Sequence, residues 1–250
     1  MRFDIITLFP ELIQPFLRVG ITRRAFESQQ IDVRLWQLRD YATGNYKRVD
    51  DRPFGGGPGM VMLAEPLSIC LAAVQEERQA LSNKACPVVL FSPIGQTISQ
   101  SVVQTWANTN GKNESEFDQG AVLICGRYEG LDQRFIDTHV THQLSLGDFV
   151  LSGGEIAAVA FLDAIARLQT GVLTDEQSHI QDSFNPAMNG LLDCPHYTRP
   201  EVWNGQSVPE VLLSGNHAKI EAWRQAHRLA LTESLRPDLI KSDLIATKKL

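Results

Sequence analysis

Three glycine-containing segments of the chain carry few reactive side chains but many accessible backbone groups. Each follows a short apolar stretch, and the segments are Ser92–Gly95, Gly126–Gly130 and Ser145–Glu155. Loops at the carboxyl ends of parallel strands converge on one crevice, and glycine allows a ligand to approach the backbone closely. The pattern therefore favours a site for an adenosine-sized ligand that is held mainly by main-chain groups. The alternative is that all three segments are merely tight turns.

Other common signatures of chemistry are absent from the sequence. It contains no Walker sequence, no Gly-x-Gly-x-x-Gly fingerprint and no Gly-x-Ser-x-Gly elbow. His139 and His142 stand three apart without an acidic or cysteine partner at ligand spacing, so we predict no metal ligands. The cysteines lack Cys-x-x-Cys spacing, which predicts buried free thiols in a reducing cytoplasm. They are Cys70, Cys86, Cys125 and Cys194.

The composition is that of an ordinary globular protein, with 43% hydrophobic and 21% charged residues. No apolar run reaches the roughly 18 residues that span a bilayer. A signal peptide would have an apolar core near the amino terminus, where this sequence has the acidic residue Asp4. We therefore expect a cytoplasmic protein that does not associate with membranes. The net charge is −6, but the acidity is local: residues 61–185 carry 15 acidic and 6 basic residues. Both ends are slightly basic, so composition neither supports nor excludes an RNA partner.

The three glycine-containing segments are expected to be positioned by alternating strands and helices. Residues 87–91 and 121–125 are continuous apolar runs, as in strands buried on both faces. Strands are also predicted at 2–8, 31–38 and 141–146, and helices at 64–81, 99–107 and 154–168. The alternation predicts an α/β fold with a mainly parallel sheet covered on both faces. The glycines and prolines of residues 53–59 exclude helix and strand there.

Two further boundaries follow from the sequence. Ser152 and Glu155 have capping-box spacing, which predicts that the long helix begins directly after Ser152. Residues 169–185 are polar and without periodicity, which indicates a linker. Beyond it, Asn216 is expected to cap an amphipathic helix that ends near Leu231. We therefore divide the chain into domains 1–168 and 186–250, joined by the linker 169–185.

Four long motifs carry a family resemblance. They are DDRPFGGGPGM at 50–60, GRYEG at 126–130, GDFVLSGGE at 147–155 and LLDCPHYTRPE at 191–201. In these motifs and their order, which cover nearly the whole chain, the sequence resembles the bacterial TrmD family. The members of this family are tRNA (guanine-N1)-methyltransferases of the SPOUT class. Residues 108–120 form a longer loop than is usual in the family.

The resemblance implies a fold and a methyl donor. The sheet domain would contain a deep trefoil knot, and residues 186–250 would form a small helical tRNA-binding domain. S-adenosylmethionine would lie bent in the knot, held by the three glycine-containing segments. Phe149 replaces a tyrosine that is usual in the family, so a hydroxyl contact is lost there while a backbone contact is kept. The implied donor-binding residues are Pro93, Gly95, Tyr128, Glu129, Gly130, Leu146, Gly147, Phe149, Leu151, Gly153 and Gly154.

The resemblance also implies three catalytic residues. Asp182 matches the family's general base, which removes the proton of guanine N1. Arg167 matches an arginine that stabilises the charge developing on O6. Glu129 is expected near the sulfonium, or near a divalent ion such as Mg²⁺ that the family uses. Without the resemblance, Asp182 would be interpreted as a solvated loop acid, and a cation favoured at a helix C-terminus would fully explain Arg167.

The implied assembly is an obligate homodimer whose active sites lie at the subunit interface. The linker and last domain of one subunit would close over the donor bound to the other, and tRNA would lie across both. The expected reaction is methylation of N1 of the guanosine immediately 3′ of the anticodon, position 37. The alternatives are a knotted methyltransferase acting on another RNA position, such as a ribose 2′-hydroxyl, and a non-catalytic RNA-binding protein. Candidate phosphate contacts are Lys47, Arg48, Arg52, His217, Lys219, Arg224 and Arg228.

Overall fold

The computed structural model describes residues 1–80, 86–107, 117–175 and 177–240. The chain divides into two compact units between Thr174 and Asp175. Parts of three predicted segments lie outside the described residues: Leu81 of the helix 64–81, residues 108–116 of the long loop, and Glu176 of the linker. The same holds for residues 241–250 of the last predicted domain.

The first unit alternates strands and helices. Its strands are β1 (Arg2–Thr7), β2 (Asp32–Gln37), β3 (Asp50–Asp51), β4 (Val61–Met62), β5 (Val88–Thr97), β6 (Gly120–Ile124) and β7 (His142–Ser145). Its α-helices are α1 (Arg23–Glu27), α2 (Ala64–Gln79), α3 (Gln100–Ala107), α4 (Gln133–His139) and α5 (Glu155–Ala166). Within the described residues, β2-β1-β6-β5-β7 form a sheet in which every pair is parallel. The predicted mainly parallel α/β sheet is confirmed.

Both faces of this sheet are covered by helices. One core cluster joins Phe3 and Leu123 of the strands to Phe161 of α5 and Trp106 of α3. The other joins alternate strand residues to Leu67, Cys70, Leu71 and Val74 of α2 and to Phe135 of α4. This explains the continuous apolar runs of β6 and of the first part of β5, because successive side chains point to opposite, covered faces. Cys70, Cys125 and Cys194 are buried thiols as predicted, whereas Cys86 is only partly buried.

The predicted loop at residues 92–95 is instead part of a strand. β5 continues to Thr97, and its pairing with β7 slips so that Phe91 and Gln96 both oppose Leu144. The intervening residues form a bulge, which lets β5 resume pairing after Pro93 has interrupted the ladder. Apolar periodicity did not predict this extension because the residues after Phe91 are no longer buried on both faces.

The predicted capping box at the start of α5 is wrong. The residue at the helix N-cap is Gly154, no side chain caps this end, and Ser152 lies before the helix with an exposed side chain. Glu155 does not turn back towards the first turn. Its side chain is 1% exposed and instead contacts Thr7 of β1 and Arg127 of the loop after β6. Tertiary partners of a buried carboxylate therefore override the local pattern.

The second unit consists of short elements and one long helix. These are α6 (Gln177–Ile180), β8 (Val202–Trp203), β9 (Gln206–Ser207), α7 (Glu210–Leu213) and α8 (His217–Leu235). The Asn216 side chain accepts a hydrogen bond from the backbone N–H of Lys219 at 3.1 Å, which confirms the predicted cap. α8 extends one turn beyond the predicted end, to Leu235.

Candidate functional site

A cavity of about 440 Å³ lies at the carboxyl ends of β6 and β7 and beside the bulge of β5. All three glycine-containing segments contribute to its walls, so the structure brings the predicted segments together at one crevice. The predicted donor-binding residues that line it are Pro93, Tyr128, Glu129, Gly130, Leu146, Phe149, Leu151, Gly153 and Gly154. A volume of this size is typical of a site for a small organic ligand.

Two predicted donor-binding residues do not line the cavity. Gly95 lies against β7, where a Cβ would be 2.5 Å from the backbone carbon of Gln143 and from the backbone nitrogen of Leu144. Its lack of a side chain therefore allows β5 and β7 to approach each other at the bulge. Gly147 has a φ of +152° and lies between the wall residues Leu146 and Phe149, and a Cβ there would be 3.2 Å from Cε1 of Phe149. In this structure both glycines shape the strands and loop around the cavity.

The loop 126–130 is fixed to the glycine-rich hairpin formed by β3, β4 and residues 52–60. The backbone N–H of Glu129 donates to Met60 O at 3.0 Å, and that of Met62 donates to Gly130 O at 2.9 Å. A Cβ at Gly59 would collide with the Glu129 carboxylate. The hairpin therefore supports the outer side of the cavity wall, and Gly59 leaves room for the Glu129 side chain.

Tyr128 has an unusual backbone conformation at the cavity rim. Its φ is +60°, in the left-handed region that non-glycine residues rarely adopt. Its side chain is half-exposed, and its phenol lies near Asp50 and Arg39. Burial, followed by the nearby charge of Asp50, raises the pKa of the Tyr128 phenol above its ordinary value. The Tyr128 phenol therefore lies between the cavity loop and Asp50 of the hairpin.

An ion pair that the sequence patterns did not predict lies beside the cavity. Arg127 lines the wall, and its Nη2 is 2.9 Å from Glu155 Oε2 while its Nε donates to Glu155 Oε1 at 3.2 Å. The hydroxyl of Thr7 donates to the same Oε1 at 2.7 Å. Thr7 and Glu155 are 148 residues apart, so no sequence spacing relates them. The sequence signal for this contact is an acidic residue at the first position of a mostly apolar helix, which also contains Asp163.

The predicted catalytic residues lie in different units. Glu129 is exposed at the cavity rim, and Arg167 is the partly buried C-cap of α5, where its charge also suits the helix end. Asp182 belongs to the second unit, and its backbone carbonyl accepts from the N–H of Asn185 at 3.3 Å. The structure therefore positions Glu129 and Arg167 in the unit that contains the cavity, and Asp182 in the other.

One predicted phosphate contact is wrong. Arg228 is 1% exposed, and its guanidinium contacts Glu221 Oε1 at 3.0 Å and Asp193 Oδ1 at 3.4 Å. Thr232 adds to this cluster by donating to the carbonyl of Arg228 and accepting from the N–H of Leu192. Arg228 thus joins the segment 191–196 to α8 and is not available to RNA. The remaining candidates, Lys47, Arg48, Arg52, His217 and Lys219, are exposed, and Arg224 is partly so.

Among the described residues, one group has the composition of a metal site. Ligand atoms of Asp193, Cys194 and His196 lie within 4.8 Å of one another. The Asp193 carboxylate, however, already contacts His196 Nε2 at 2.9 Å and the Arg228 guanidinium, and it accepts from the N–H of Cys194. A neighbouring cation opposes metal binding, so this group is better described as a hydrogen-bonded ion cluster.

No helix within the described part of the chain is long and apolar enough to cross a membrane.

Comparison with known proteins identifies the family. The family model described as tRNA (Guanine-1)-methyltransferase TrmD matches residues 1–242. A tRNA (guanine-N(1)-)-methyltransferase of Albidiferax ferrireducens is 66% identical over 240 residues, covering 96% of this chain and 92% of the relative. Proteins of the same name from Polaromonas sp. and Paracidovorax citrulli are 63% and 61% identical, each covering at least 96% of this chain and 90% of the relative. The chain therefore belongs to the TrmD family of tRNA (guanine-1)-methyltransferases.

Proposed function

We propose that this protein transfers a methyl group from S-adenosylmethionine to N1 of the guanosine immediately 3′ of the anticodon, position 37. The observation that carries this proposal is the cavity formed by the three glycine-containing segments, in a chain of this family. The similar proteins from Polaromonas sp. and Albidiferax ferrireducens are named tRNA (guanine-N(1)-)-methyltransferases.

The walls of the cavity fit the proposed methyl donor. Leu146, Phe149 and Leu151 supply apolar surface, while Gly153 and Gly154 expose backbone. A Cβ at Gly154 would be 2.8 Å from the Cα of Cys125, so two backbone segments pass very close together beside the cavity. The N–H of Gly154 also donates to Gly126 O at 3.0 Å. This close approach supports the proposal that the two loops belong to a trefoil knot around the donor.

The proposed chemistry requires a base and a positive group. Guanine N1 carries a proton and is a poor nucleophile until that proton is removed, so we assign Asp182 as the general base. As the proton leaves, negative charge moves to O6, and we assign the Arg167 guanidinium to stabilise it. Glu129, exposed at the cavity rim, would attract the sulfonium end of the donor. The donor supplies an activated methyl group, and these residues orient and deprotonate the acceptor.

A homodimer would unite residues that lie in separate units. Asp182 is outside the unit that contains the cavity, and in the proposed dimer it would act on the donor bound by the partner subunit. Large apolar side chains exposed around the cavity support an interface there, because such patches usually mark contact surfaces. They are Ile94, Phe149, Val150 and Ile156, which are 83%, 55%, 82% and 57% exposed.

We further propose that residues 186–250 bind tRNA after a linker at 169–185, and that the reaction takes place in the cytoplasm. Exposed basic residues on both units, including Arg52 and Lys219, would contact phosphates. Such contacts position RNA and weaken with added salt. The described residues around the cavity contain no group of three metal ligands, so no step is assigned to Mg²⁺.

A mapped methylation assay tests the proposed function. Purified protein, S-adenosylmethionine and tRNA transcripts that differ only at the anticodon's 3′ neighbour would be combined, and the modified nucleotide identified by mass spectrometry. We expect 1-methylguanosine at that position and no methylation when the guanosine is replaced by adenosine. Methylation of a ribose would instead support the alternative knotted enzyme, and tRNA binding without methylation would support a non-catalytic RNA-binding protein.

A further inference from the structure

We propose that Glu155 balances the charge of Arg127 in the cavity wall and thereby allows the cavity to accept a cationic ligand. Arg127, Glu155 and Thr7 then form a positioning network, defined by these three residues, that does not contact the reacting atoms. This inference rests on the proposed function, because it concerns how the same cavity binds a sulfonium-containing donor.

The network joins three distant parts of the first unit. Thr7 is the last residue of β1, Arg127 follows β6, and Glu155 is the first residue of α5. The Thr7 hydroxyl donates to the Glu155 carboxylate at 2.7 Å and accepts from the backbone N–H of Phe9 at 2.9 Å. The orientation of this hydroxyl is therefore fixed from both sides, which holds Glu155 beneath the cavity wall.

Arg127 extends the network into the wall itself. Its Nη1 donates to Ser152 O at 3.2 Å, and its guanidinium carbon lies 4.6 Å from the centre of the Phe9 ring. Its backbone forms an antiparallel bridge with Gly153, where a Cβ would collide with the guanidinium. The side chain thus connects the loop after β6 to the loop before α5, two adjacent loops that both line the cavity.

The burial of these groups assigns them an electrostatic role. The side chain of Glu155 is 1% exposed and that of Arg127 is 16% exposed, and only Arg127 lines the cavity. Without Glu155, the wall would present an uncompensated guanidinium to the ligand. S-adenosylmethionine carries a sulfonium cation, so such a wall would repel it more than it would repel the neutral thioether product, S-adenosylhomocysteine. The ion pair removes this repulsion and keeps the two loops together.

The test compares the affinities of the cationic donor and the neutral product in two variants of opposite charge. Calorimetric titration of the full-length protein would give the Kd of S-adenosylmethionine and of S-adenosylhomocysteine. Glu155→Gln keeps the size of the side chain and its bond to Thr7 but removes the negative charge. We expect it to weaken donor binding relative to product binding on the order of threefold to tenfold, as for partly screened charges less than a Debye length apart.

Arg127→Gln should strengthen donor binding relative to product binding, so that the ratio of the two Kd values changes in the opposite direction. The reason is that this variant leaves the negative charge of Glu155 without its counter-charge. Simple damage to the fold would weaken the binding of both ligands in both variants and cannot reverse the sign. Arg134→Gln is the matched control, since Arg134 forms an exposed pair with Asp132 at 2.6 Å and does not line this cavity. The control should leave the ratio unchanged.

Equal weakening of both ligands in Glu155→Gln, or a shift of the same sign in both variants, would overturn the inference. Failure of the unmodified protein to bind either ligand would instead contradict the proposed function.

Thr7→Val, compared with Thr7→Ser, tests whether the Thr7 hydroxyl positions Glu155. Loss of the hydroxyl should weaken the binding of both ligands by about the same factor, and the serine variant should recover much of it. No difference between these two variants would contradict the positioning role of Thr7.

Discussion

At the scale of single residues, the assignment of roles depends on what each side chain contacts. Glu155 illustrates this, because its spacing from Ser152 predicts a helix cap while its carboxylate is bound by Thr7 and Arg127. Arg228 is a second case, since a basic residue of an amphipathic helix is usually solvated but here is 1% exposed. In both cases a charged side chain is buried because several partners compensate its desolvation.

Asp182→Asn tests the proposed general base. Asparagine is nearly isosteric but cannot accept the N1 proton at neutral pH, so we expect the rate of methyl transfer to fall by about 10²- to 10⁴-fold. The measurement is single-turnover kinetics with saturating tRNA and donor, and calorimetry should give a nearly unchanged donor affinity. A rate within a few-fold of the unmodified protein would refute the assignment.

Arg167→Ala tests the proposed stabilisation of charge on O6. Removing a donor that acts on developing charge is expected to lower the chemical rate by about 10²- to 10³-fold. The affinity for tRNA, measured by filter binding, should change much less. If rate and affinity decline by the same factor, Arg167 is a binding residue and its location at the end of α5 suffices to explain it.

At the scale of elements, the cavity depends on how closely the loop before α5 approaches the end of β6. Gly154 has a φ of −78°, which any residue can adopt, so only steric conflict with neighbouring atoms excludes a side chain at this position. The bulge in β5 also depends on the absence of a side chain, since Gly95 allows the backbone of β5 to contact that of β7 closely. These approaches are consequences of strand order, which brings β5 between β6 and β7.

Gly154→Ala should therefore damage donor binding through steric conflict alone. The new Cβ would be 2.8 Å from the Cα of Cys125, and the loop must move to relieve the contact. We expect the Kd of the donor to rise about tenfold, corresponding to about 1.4 kcal/mol. Gly215→Ala is the control: it strains a left-handed residue in the second unit but meets no atom within 4 Å. An unchanged Kd in Gly154→Ala would show that the loop is free to shift.

At the scale of the whole molecule, the proposed activity needs residues from both units. The cavity and Arg167 belong to the first unit, whereas Asp182 belongs to the second. The proposed homodimer resolves this separation by letting each subunit complete the site of its partner. The proposed dimer would also cover the apolar side chains around the cavity that are exposed in the single chain.

Mixed dimers test this arrangement directly. A dimer of one Arg167→Ala subunit and one Asp182→Asn subunit would collect both substitutions in one site if the sites are shared, leaving the other site unaltered. We expect about half of the activity of the unmodified dimer, as required by two-fold symmetry. Differently tagged subunits would be co-expressed and purified in sequence, with each homodimeric variant as a reference. Activity no higher than that of the two references would mean that each subunit builds its own site.

The sequence by itself determined the parallel α/β sheet, since continuous apolar strands and helical periodicity report local burial. It also identified the segments that form the cavity walls, because glycine-containing loops after buried strands mark the carboxyl edge of such a sheet. Only the tertiary structure decided the partners of Glu155, the burial of Arg228 and the bulge after Phe91. These features depend on contacts between residues far apart in the chain, and neither spacing nor periodicity encodes such contacts.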